Sequence, residues 1–262
     1  MARLHLTLLG GFHARLASGQ ALSLPTKKAQ ALLAYLALKP GQAHPRDKLA
    51  ALFWGEASGE RARTSLRQSL GALRQALPAT SPPSLIDEHH ALALNPAAVE
   101  VDVAAFERSV AEGTPEALEQ AAALYQGDLL EGLTVEEAPF EKWLLAEREH
   151  LRELALEALA KLLAHQTKAG ATERAIQTAG RLLALDPLQE AVHRALMRLY
   201  ARQARWGAAL KQYQVCASAL QRELGTEPEP ETKQLYQEIL QRRMPAPAQP
   251  EAPPAPRARE PP

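Results

Sequence analysis

The stretch from Glu60 to Leu77, ERARTSLRQSLGALRQAL, combines two patterns on one predicted helix. Its leucines recur at intervals of three and four residues, so they lie on one stripe that faces a core: Leu66, Leu70, Leu73 and Leu77. Cationic residues line an adjoining flank, at Arg63, Arg67 and Arg74. Taken alone, this flank fits either a solvated helix face or a surface that binds a polyanion, so the surrounding sequence has to decide between them.

The face opposite the leucines is polar and contains a glycine. Its residues are Thr64, Gln68, Gly71 and Gln75. Arg and Gln side chains can bind purine edges with two hydrogen bonds, and Arg and Thr can also bind phosphates. A glycine at this position costs roughly 1 kcal/mol of helix propensity relative to alanine, but it lets another surface approach closely. Arg61, which stands where a capping box begun by Ser58 would have Glu, adds a cation near the helix start.

Two shorter helices are predicted before this one. The segment KKAQALLAYLAL from Lys27 has apolar residues at helical spacing, follows the N-cap residue Thr26, and is ended by Pro40-Gly41. A second helix is expected from about Pro45, whose fixed φ suits a first turn, to Trp54.

Short strands are predicted on both sides of the three helices. Alternating residues and the turn-forming Gly10-Gly11 predict three strands before them, over residues 3–9, 12–16 and 21–24. After the helices and a Pro/Ser-rich linker, SLIDEHHALALNP from Ser84 predicts a hairpin. The order of sheet, three helices and hairpin is that of a winged helix-turn-helix, in which the hairpin is the wing.

The second half of the chain is predicted to be helical and acidic. Residues 1–100 contain 11 Lys/Arg and 6 Asp/Glu, and residues 101–262 contain 19 and 24, so a cationic module is joined to an acidic one. Helices are expected from Val101, with Asp102 as the N-cap, from Pro115, and from about Pro139 to Ala169. Eight prolines in the last 18 residues predict a disordered tail over residues 244–262.

A period of 34 residues follows the long helix. The segments ATERAI and RWGAAL stand 34 residues apart, so that Ala175 matches Ala209 and Ile176 matches Leu210. This length is typical of tetratricopeptide (TPR)-like helix pairs, whose small residues allow close packing. Large aromatic side chains in the helical half are expected to pack between helices, the alternative being that some line a groove for a partner: Trp143, Tyr200, Trp206 and Tyr213.

Both halves resemble parts of one family of bacterial regulators. Three segments are similar to the OmpR-type DNA-binding domain of transcriptional activators: KKAQALLAYLALKPG from Lys27, PRDKLAALFWG from Pro45 and RTSLRQSLGALRQAL from Arg63. Four further pieces resemble, in order, the motifs of the bacterial transcriptional activation domain that antibiotic-pathway regulators couple to it: LYQGDLLEG from Leu124, Trp143 with Glu147, Arg148 and Leu151, DPLQEAVHRALMRLY from Asp186, and ELGTEPEPET from Glu223. The resemblance spans roughly residues 3–240.

The resemblance implies an α+β winged helix-turn-helix domain over residues 1–98, followed by an all-α TPR-like activation domain over residues 101–243. It also implies that the third helix enters the major groove, which places Arg63, Thr64, Arg67, Gln68 and Arg74 against DNA. The expected function is that of a sequence-specific DNA-binding transcriptional regulator, an activator. Its expected partners are double-stranded DNA, RNA polymerase or another protein through the helical domain, and a second copy of the chain.

The tip of the predicted wing departs from the family pattern. It offers Asp87, Glu88, His89 and His90 where a basic residue would be expected. Affinity of the wing for DNA should therefore be weak at neutral pH and stronger when His89 and His90 are protonated. The favoured interpretation of this histidine pair is nevertheless an exposed loop without a role in DNA binding. No metal site is predicted, because no nearby Cys or third His completes a ligand set.

Other functions and locations find less support. The sequence has no G-x-S-x-G, no phosphate-binding loop and no metal-ligand cluster, so neither an enzyme nor a cofactor is predicted. A protein-interaction scaffold whose winged helix has lost DNA binding stays the alternative, given the acidic wing. The absence of a signal peptide's apolar core and of an apolar run of about 20 residues indicates a cytoplasmic protein. The lone Cys216 is expected to be a buried structural thiol rather than a reactive one.

Overall fold

A computed structural model describes residues 4–77, 83–88 and 90–243 of the 262-residue chain. The predicted wing-tip residue His89 and the predicted tail, residues 244–262, lie outside the described residues. Packing divides the chain into two compact units, Met1–Ala169 and Gly170–Pro262. This division does not bear on the predicted boundary near residues 98–101, which stays a prediction.

Short strands form two small sheets in the N-terminal unit. Within the described residues the strands are β1 (Leu4–Thr7), β2 (His13–Leu16), β3 (His44–Pro45), β4 (Leu85–Glu88), β5 (Ala91–Leu94) and β6 (Val99–Val101). One sheet has the order β2-β1-β6, with β1 antiparallel to β2 and parallel to β6. The other has the order β3-β5-β4 and contains the predicted hairpin.

Helices make up the rest of the described chain. In the N-terminal unit they are α1 (Lys27–Leu38), α2 (Arg46–Phe53), α3 (Gly59–Ala76), α4 (Asp102–Glu112), α5 (Pro115–Leu124) and α6 (Ala138–Lys168). In the C-terminal unit they are α7 (Thr172–Leu185), α8 (Glu190–Arg202), α9 (Trp206–Leu224) and α10 (Pro230–Arg243). The predicted fold class, an α+β winged helix-turn-helix followed by helices alone, is confirmed.

Three local predictions were wrong. The expected strand over residues 21–24 is reduced to a single bridge between Arg15 and Ala21, and β6 supplies the third strand of that sheet. Ser58 occupies the N-cap position of α3 but makes no capping hydrogen bond through its side chain. Asp102 is the first residue of α4 instead of its cap, because its carboxylate accepts from the backbone N–H groups of Leu8 and Leu9, at 2.8 and 2.9 Å.

A buried carboxylate joins the winged helix to α6. Glu137, just before α6, accepts from Lys28 Nζ of α1 at 2.6 Å and from the backbone N–H of Gly55, beyond the end of α2, at 3.2 Å. An aromatic cluster continues the same contact, since Phe53 of α2 lies 5.0 Å from Phe140 and Tyr35 of α1 lies 4.7 Å from Trp143, centroid to centroid. Trp143 therefore packs between helices, as expected.

The segment LYQGDLLEG closes over the end of β1. Gly10 has a φ of +87° and approaches Gly127 so closely that a Cβ on Gly127 would lie 3.1 Å from the Gly10 Cα. The backbone N–H of Gly10 donates to the Asp128 carbonyl at 3.0 Å. Arg148 of α6 holds the same loop by donating to the carbonyls of Leu129 and Leu130, at 2.8 and 3.0 Å.

The C-terminal unit shows the expected helix pairs. Ala175 of α7 and Ala209 of α9, the matched small residues of the 34-residue period, are both completely buried. A core between α8, α9 and α10 contains Met197, Ala209, Leu210, Leu235 and Ile239, with Tyr200, Trp206 and Tyr213 partly buried against it. Cys216 is buried as expected, and burial raises the pKa of its thiol to about 11, which makes the reactive thiolate scarce at neutral pH.

Candidate nucleic-acid interface

The long helix α3 has the two faces that its sequence predicts. Leu66, Leu70 and Leu73 are buried, with 2% or less of each side chain exposed. The predicted DNA-binding side chains of this helix are all exposed: Arg61, Arg63, Thr64, Arg67, Gln68, Arg74 and Gln75. A helix held by leucines thus presents guanidinium, amide and hydroxyl groups outward, and donors of this kind can bind base edges and phosphates.

Gly71 lies half-exposed on the outward side of α3. A Cβ built on this glycine would meet no other atom within 4 Å, so the packing of the chain itself does not require a glycine here. Its helical environment makes glycine less favourable than alanine by roughly 1 kcal/mol. The missing side chain therefore leaves room at the surface instead of relieving an internal contact.

The wing is fastened to the start of α2. Strand β3 pairs with β5 through His44–Leu92 and Pro45–Ala91, and the backbone N–H of Arg46 donates to the carbonyl of His90 at 2.9 Å. His44 is buried against the ring of Tyr35, and this burial, followed by the nearby Lys48 and Lys39, lowers its pKa. At neutral pH this shift favours the neutral form of the His44 imidazole.

The acidic residue Asp87 of the wing is paired with arginines of two helices. Its Oδ1 accepts from Arg46 Nη2 of α2 at 2.5 Å, and its Oδ2 forms an ion pair with Arg74 of α3. The expected acidic character of the wing is thus compensated at Asp87, because two guanidinium groups share this carboxylate. Arg74 contacts the wing near its tip, and its exposed side chain is held there.

A second surface carboxylate pairs with an arginine in the first half of α3. Arg63 Nε donates to Asp47 Oδ1 of α2 at 2.9 Å, and both side chains are more than half exposed. Arg67 differs, because within the described part of the chain no carboxylate lies within 4.0 Å of it; its guanidinium instead donates to the Thr64 hydroxyl at 3.1 Å. Of the three arginines on the flank of α3, Arg67 has the least compensated charge.

A groove of about 580 Å³ lies between α2, α3 and the wing. It brings together three predicted residues, Arg63, Arg67 and His90, and adds Arg46 and Asp47, which sequence reasoning missed. Arg46 Nε is buried and has no hydrogen-bond partner among the described residues. The available signal was position, since Arg46 directly follows Pro45 at the start of the second helix, next to the predicted wing. Arg61, Gln68 and Gln75 do not line this groove.

Three helices around a leucine core, with a hairpin fastened to the second and third, define a winged helix-turn-helix protein. Two family descriptions match the chain: "Transcriptional regulatory protein, C terminal" over residues 19–92 and "Bacterial transcriptional activator domain" over residues 94–240. Because the second covers more than half of the chain, this protein belongs to the SARP family of bacterial transcriptional activators. Proteins of this family are DNA-binding transcription regulators and in general not enzymes.

Two known proteins illustrate the relationship. The regulatory protein AfsR of Streptomyces coelicolor is 29% identical over 235 residues, which are 85% of this chain and 23% of AfsR. The structure of Mycobacterium tuberculosis EmbR in complex with a low-affinity phosphopeptide superposes with a TM-score of 0.69 at 23% identity, covering 92% of this chain and 66% of EmbR. The chain thus spans about a quarter of AfsR and two thirds of EmbR, and the likeness to EmbR shows the fold. In the described part of the chain, no helix combines the length and hydropathy needed to cross a membrane.

Proposed function

We propose that this protein activates transcription by placing α3 in the major groove of an operator, with the wing against the neighbouring backbone. The observation that carries the proposal is the exposed polar face of α3, whose leucines fix its position while Arg67 and its neighbours remain accessible. Arg67 and Gln68 are the side chains of choice for base readout, because their planar donor groups match purine edges. Arg46, Arg63 and His90, which line the adjoining groove, are suited to bind phosphate.

The helical region is proposed to supply protein contacts. RNA polymerase or another protein would be bound there, and a second copy of the chain could occupy a tandem site on the operator. Membership of a family of transcription regulators and the absence of a membrane-crossing helix among the described residues support a role in the cytoplasm.

A gel-shift series tests the DNA-binding proposal. Operator fragments selected from genomic DNA are titrated with the wild type, with Arg67→Ala, and with Arg222→Ala as a matched exposed arginine in the C-terminal unit. We expect Arg67→Ala to weaken binding about tenfold, the low end of the effect of removing a base contact, and Arg222→Ala to leave it unchanged. Equal affinities of the two variants would overturn the assignment of α3. No salt-dependent binding at all would favour the scaffold alternative.

Gly71→Ala separates surface contact from stability. Because the added methyl group meets no atom of the chain, the substitution should raise the free energy of unfolding by about 0.5–1 kcal/mol. The same methyl group should lower operator affinity, because it obstructs close approach of the duplex. A variant that is both more stable and equally tight on DNA would show that the duplex does not come close to Gly71.

A further inference from the structure

The C-terminal unit carries a groove with a cationic rim and an apolar floor. It lies between the end of α8, the start of α9 and the face of α10, with a volume of about 290 Å³. Arg198 and Arg202, one helical turn apart on α8, and Arg242 of α10 form the rim. Trp206, Leu235 and Ile239, which belong to the core of this unit or pack on it, form the floor.

The rim arginines have no acidic partner in the described part of the chain, and Arg198, Arg202 and Arg242 are exposed. Glu238 also lines the groove, but its carboxylate accepts from Gln234 at 3.1 Å and forms no ion pair within the described residues. Three other cations of this unit are paired with carboxylates: Arg194 with Glu229, Arg222 with Glu223 and Lys233 with Glu227. Three arginines without a carboxylate partner in the described part of the chain therefore line the same groove.

The charge of the surrounding sequence points the same way. Residues 101–169 contain 6 Lys/Arg and 14 Asp/Glu, whereas residues 170–243 contain 11 and 8. The excess of acidic residues in the second half of the chain thus lies in residues 101–169, whereas residues 170–243 have an excess of basic residues. Charge complementarity favours an acidic ligand for this unit, because the cationic surface would repel a basic one.

We propose that this groove docks an acidic segment of a partner protein that inserts an aliphatic or aromatic side chain onto Trp206. The apolar floor accepts the inserted side chain, and the three guanidinium groups bind flanking carboxylates. The phosphates of a nucleic acid could bind the rim arginines, but they would supply no apolar group to cover the floor. The inference deepens the protein-contact part of the proposed function and does not depend on which operator is bound.

Selection from a random peptide library tests the groove. Displayed 12-residue peptides are selected on the full chain with excess unrelated duplex DNA present, which occupies the cationic surface around α3. We expect the selected peptides to be enriched in Asp and Glu around one large apolar residue. The tightest peptide is then synthesised, and its dissociation constant is measured by fluorescence anisotropy.

Two charge-matched variants decide where the peptide binds. R198E/R202E reverses two rim charges, and K211E/R222E reverses two exposed charges on α9 outside the groove. The first should weaken peptide binding by about tenfold or more, because a like charge then faces the carboxylates, whereas the second should change it less than about twofold. Thermal unfolding of R198E/R202E should match the wild type, because no ion pair of Arg198 or Arg202 is broken. K211E/R222E should differ little from it, because the Arg222–Glu223 pair that it breaks is exposed.

Several results would overturn the proposal. The first is that the selected peptides have no excess of acidic residues, and the second is that the two variants bind the peptide equally well. The third is that the chain forms a dimer which dissociates only in R198E/R202E. The fourth is that R198E/R202E loses operator affinity but still binds the peptide. The third result would assign the groove to a second copy of the chain and the fourth to DNA. Peptide binding that persists in a protein unable to bind DNA would instead overturn the proposed operator function and leave the groove assignment standing.

Discussion

Carboxylates at two places in the N-terminal unit accept hydrogen bonds in different surroundings and from different donors. Glu137 is buried and Asp102 is half-buried; they accept hydrogen bonds from Lys28, Gly55, Leu8 and Leu9 and so join the winged helix to α4 and α6. Asp47 and Asp87 lie at the surface beside α3, where they accept from Arg63, Arg46 and Arg74.

The difference lies in what removal of each carboxylate leaves behind. Without these carboxylates, Lys28 and Gly55 lose an acceptor, and the backbone N–H groups of the buried residues Leu8 and Leu9 are left without one, at a cost of about 1–3 kcal/mol for each buried donor. Without a surface carboxylate, an arginine is released into water, and exposed pairs contribute about 0–1 kcal/mol to stability. The interior pair should therefore govern folding, and the surface pair should govern how the cations of α3 meet DNA.

The largest effect is expected for Glu137→Ala. The substitution removes the acceptor of Lys28 Nζ and of the Gly55 N–H together. Because a hydrogen bond to a charged group contributes about 1.5–3 kcal/mol, the free energy of unfolding should fall by about 3 kcal/mol. Urea denaturation measures the change, with Glu136→Ala as the control because its side chain is exposed. A loss no greater than that of the control would show that Glu137 does not fasten α6 to the winged helix.

Asp102→Ala should follow with a loss of about 2 kcal/mol. Leu8 and Leu9 are almost completely buried, so their backbone N–H groups would have no alternative acceptor. Chemical denaturation at neutral pH measures the loss, and Glu112→Ala at the exposed end of α4 is the matched control. Hydrogen exchange of the Leu8 and Leu9 amides should accelerate in Asp102→Ala alone; unchanged protection would contradict the assigned contacts.

The interior contacts also show where sequence reasoning succeeds and where it stops. Helix α1 begins and ends at the predicted residues, because its apolar spacing, its cap at Thr26 and Pro40-Gly41 are all local signals. Strand β6 was missed because three residues that pair with β1 from about 95 positions away leave no periodic pattern. Asp102 carries a typical N-cap residue type, yet its acceptor function is set by Leu8 and Leu9, far away in sequence.

The candidate interface, like the fold, was predictable where local sequence patterns determine it and not where long-range contacts do. Leucine spacing determines which face of α3 is outward, so the exposure of Arg67 and Gln68 follows from the sequence. The pairing of Arg74 and Arg46 with Asp87 does not follow, since those contacts arise only when the wing folds back onto α2 and α3. Asp87, which departs from the basic wing expected for the family, is thus the residue that holds two arginines in place.

Asp87→Ala should change DNA binding more than stability. Release of Arg46 and Arg74 makes two more cations available for phosphates, so the slope of log affinity against log salt should steepen by about one to two. Discrimination between operator and unrelated duplex should fall, because Arg74 is no longer oriented. Glu88→Ala removes the same charge from the wing and serves as the control. Equal salt slopes for the two variants would show that Asp87 does not restrain the arginines.

The smallest effect concerns the pH dependence contributed by Asp102. Burial raises the pKa of this carboxyl above its ordinary value of 3.8, although the N–H groups of Leu9, Leu8 and Val103 act in the opposite direction. The folded protein therefore takes up this proton at a higher pH than the unfolded chain does, so the group adds stability as the pH falls through the raised pKa toward 3.8. Asp102→Asn cannot titrate at this position. Urea denaturation from neutral to mildly acidic pH measures the unfolding free energy of the wild type minus that of Asp102→Asn. This quantity should increase as the pH falls. A decrease would mean that the hydrogen bonds to the ionised carboxylate outweigh its burial.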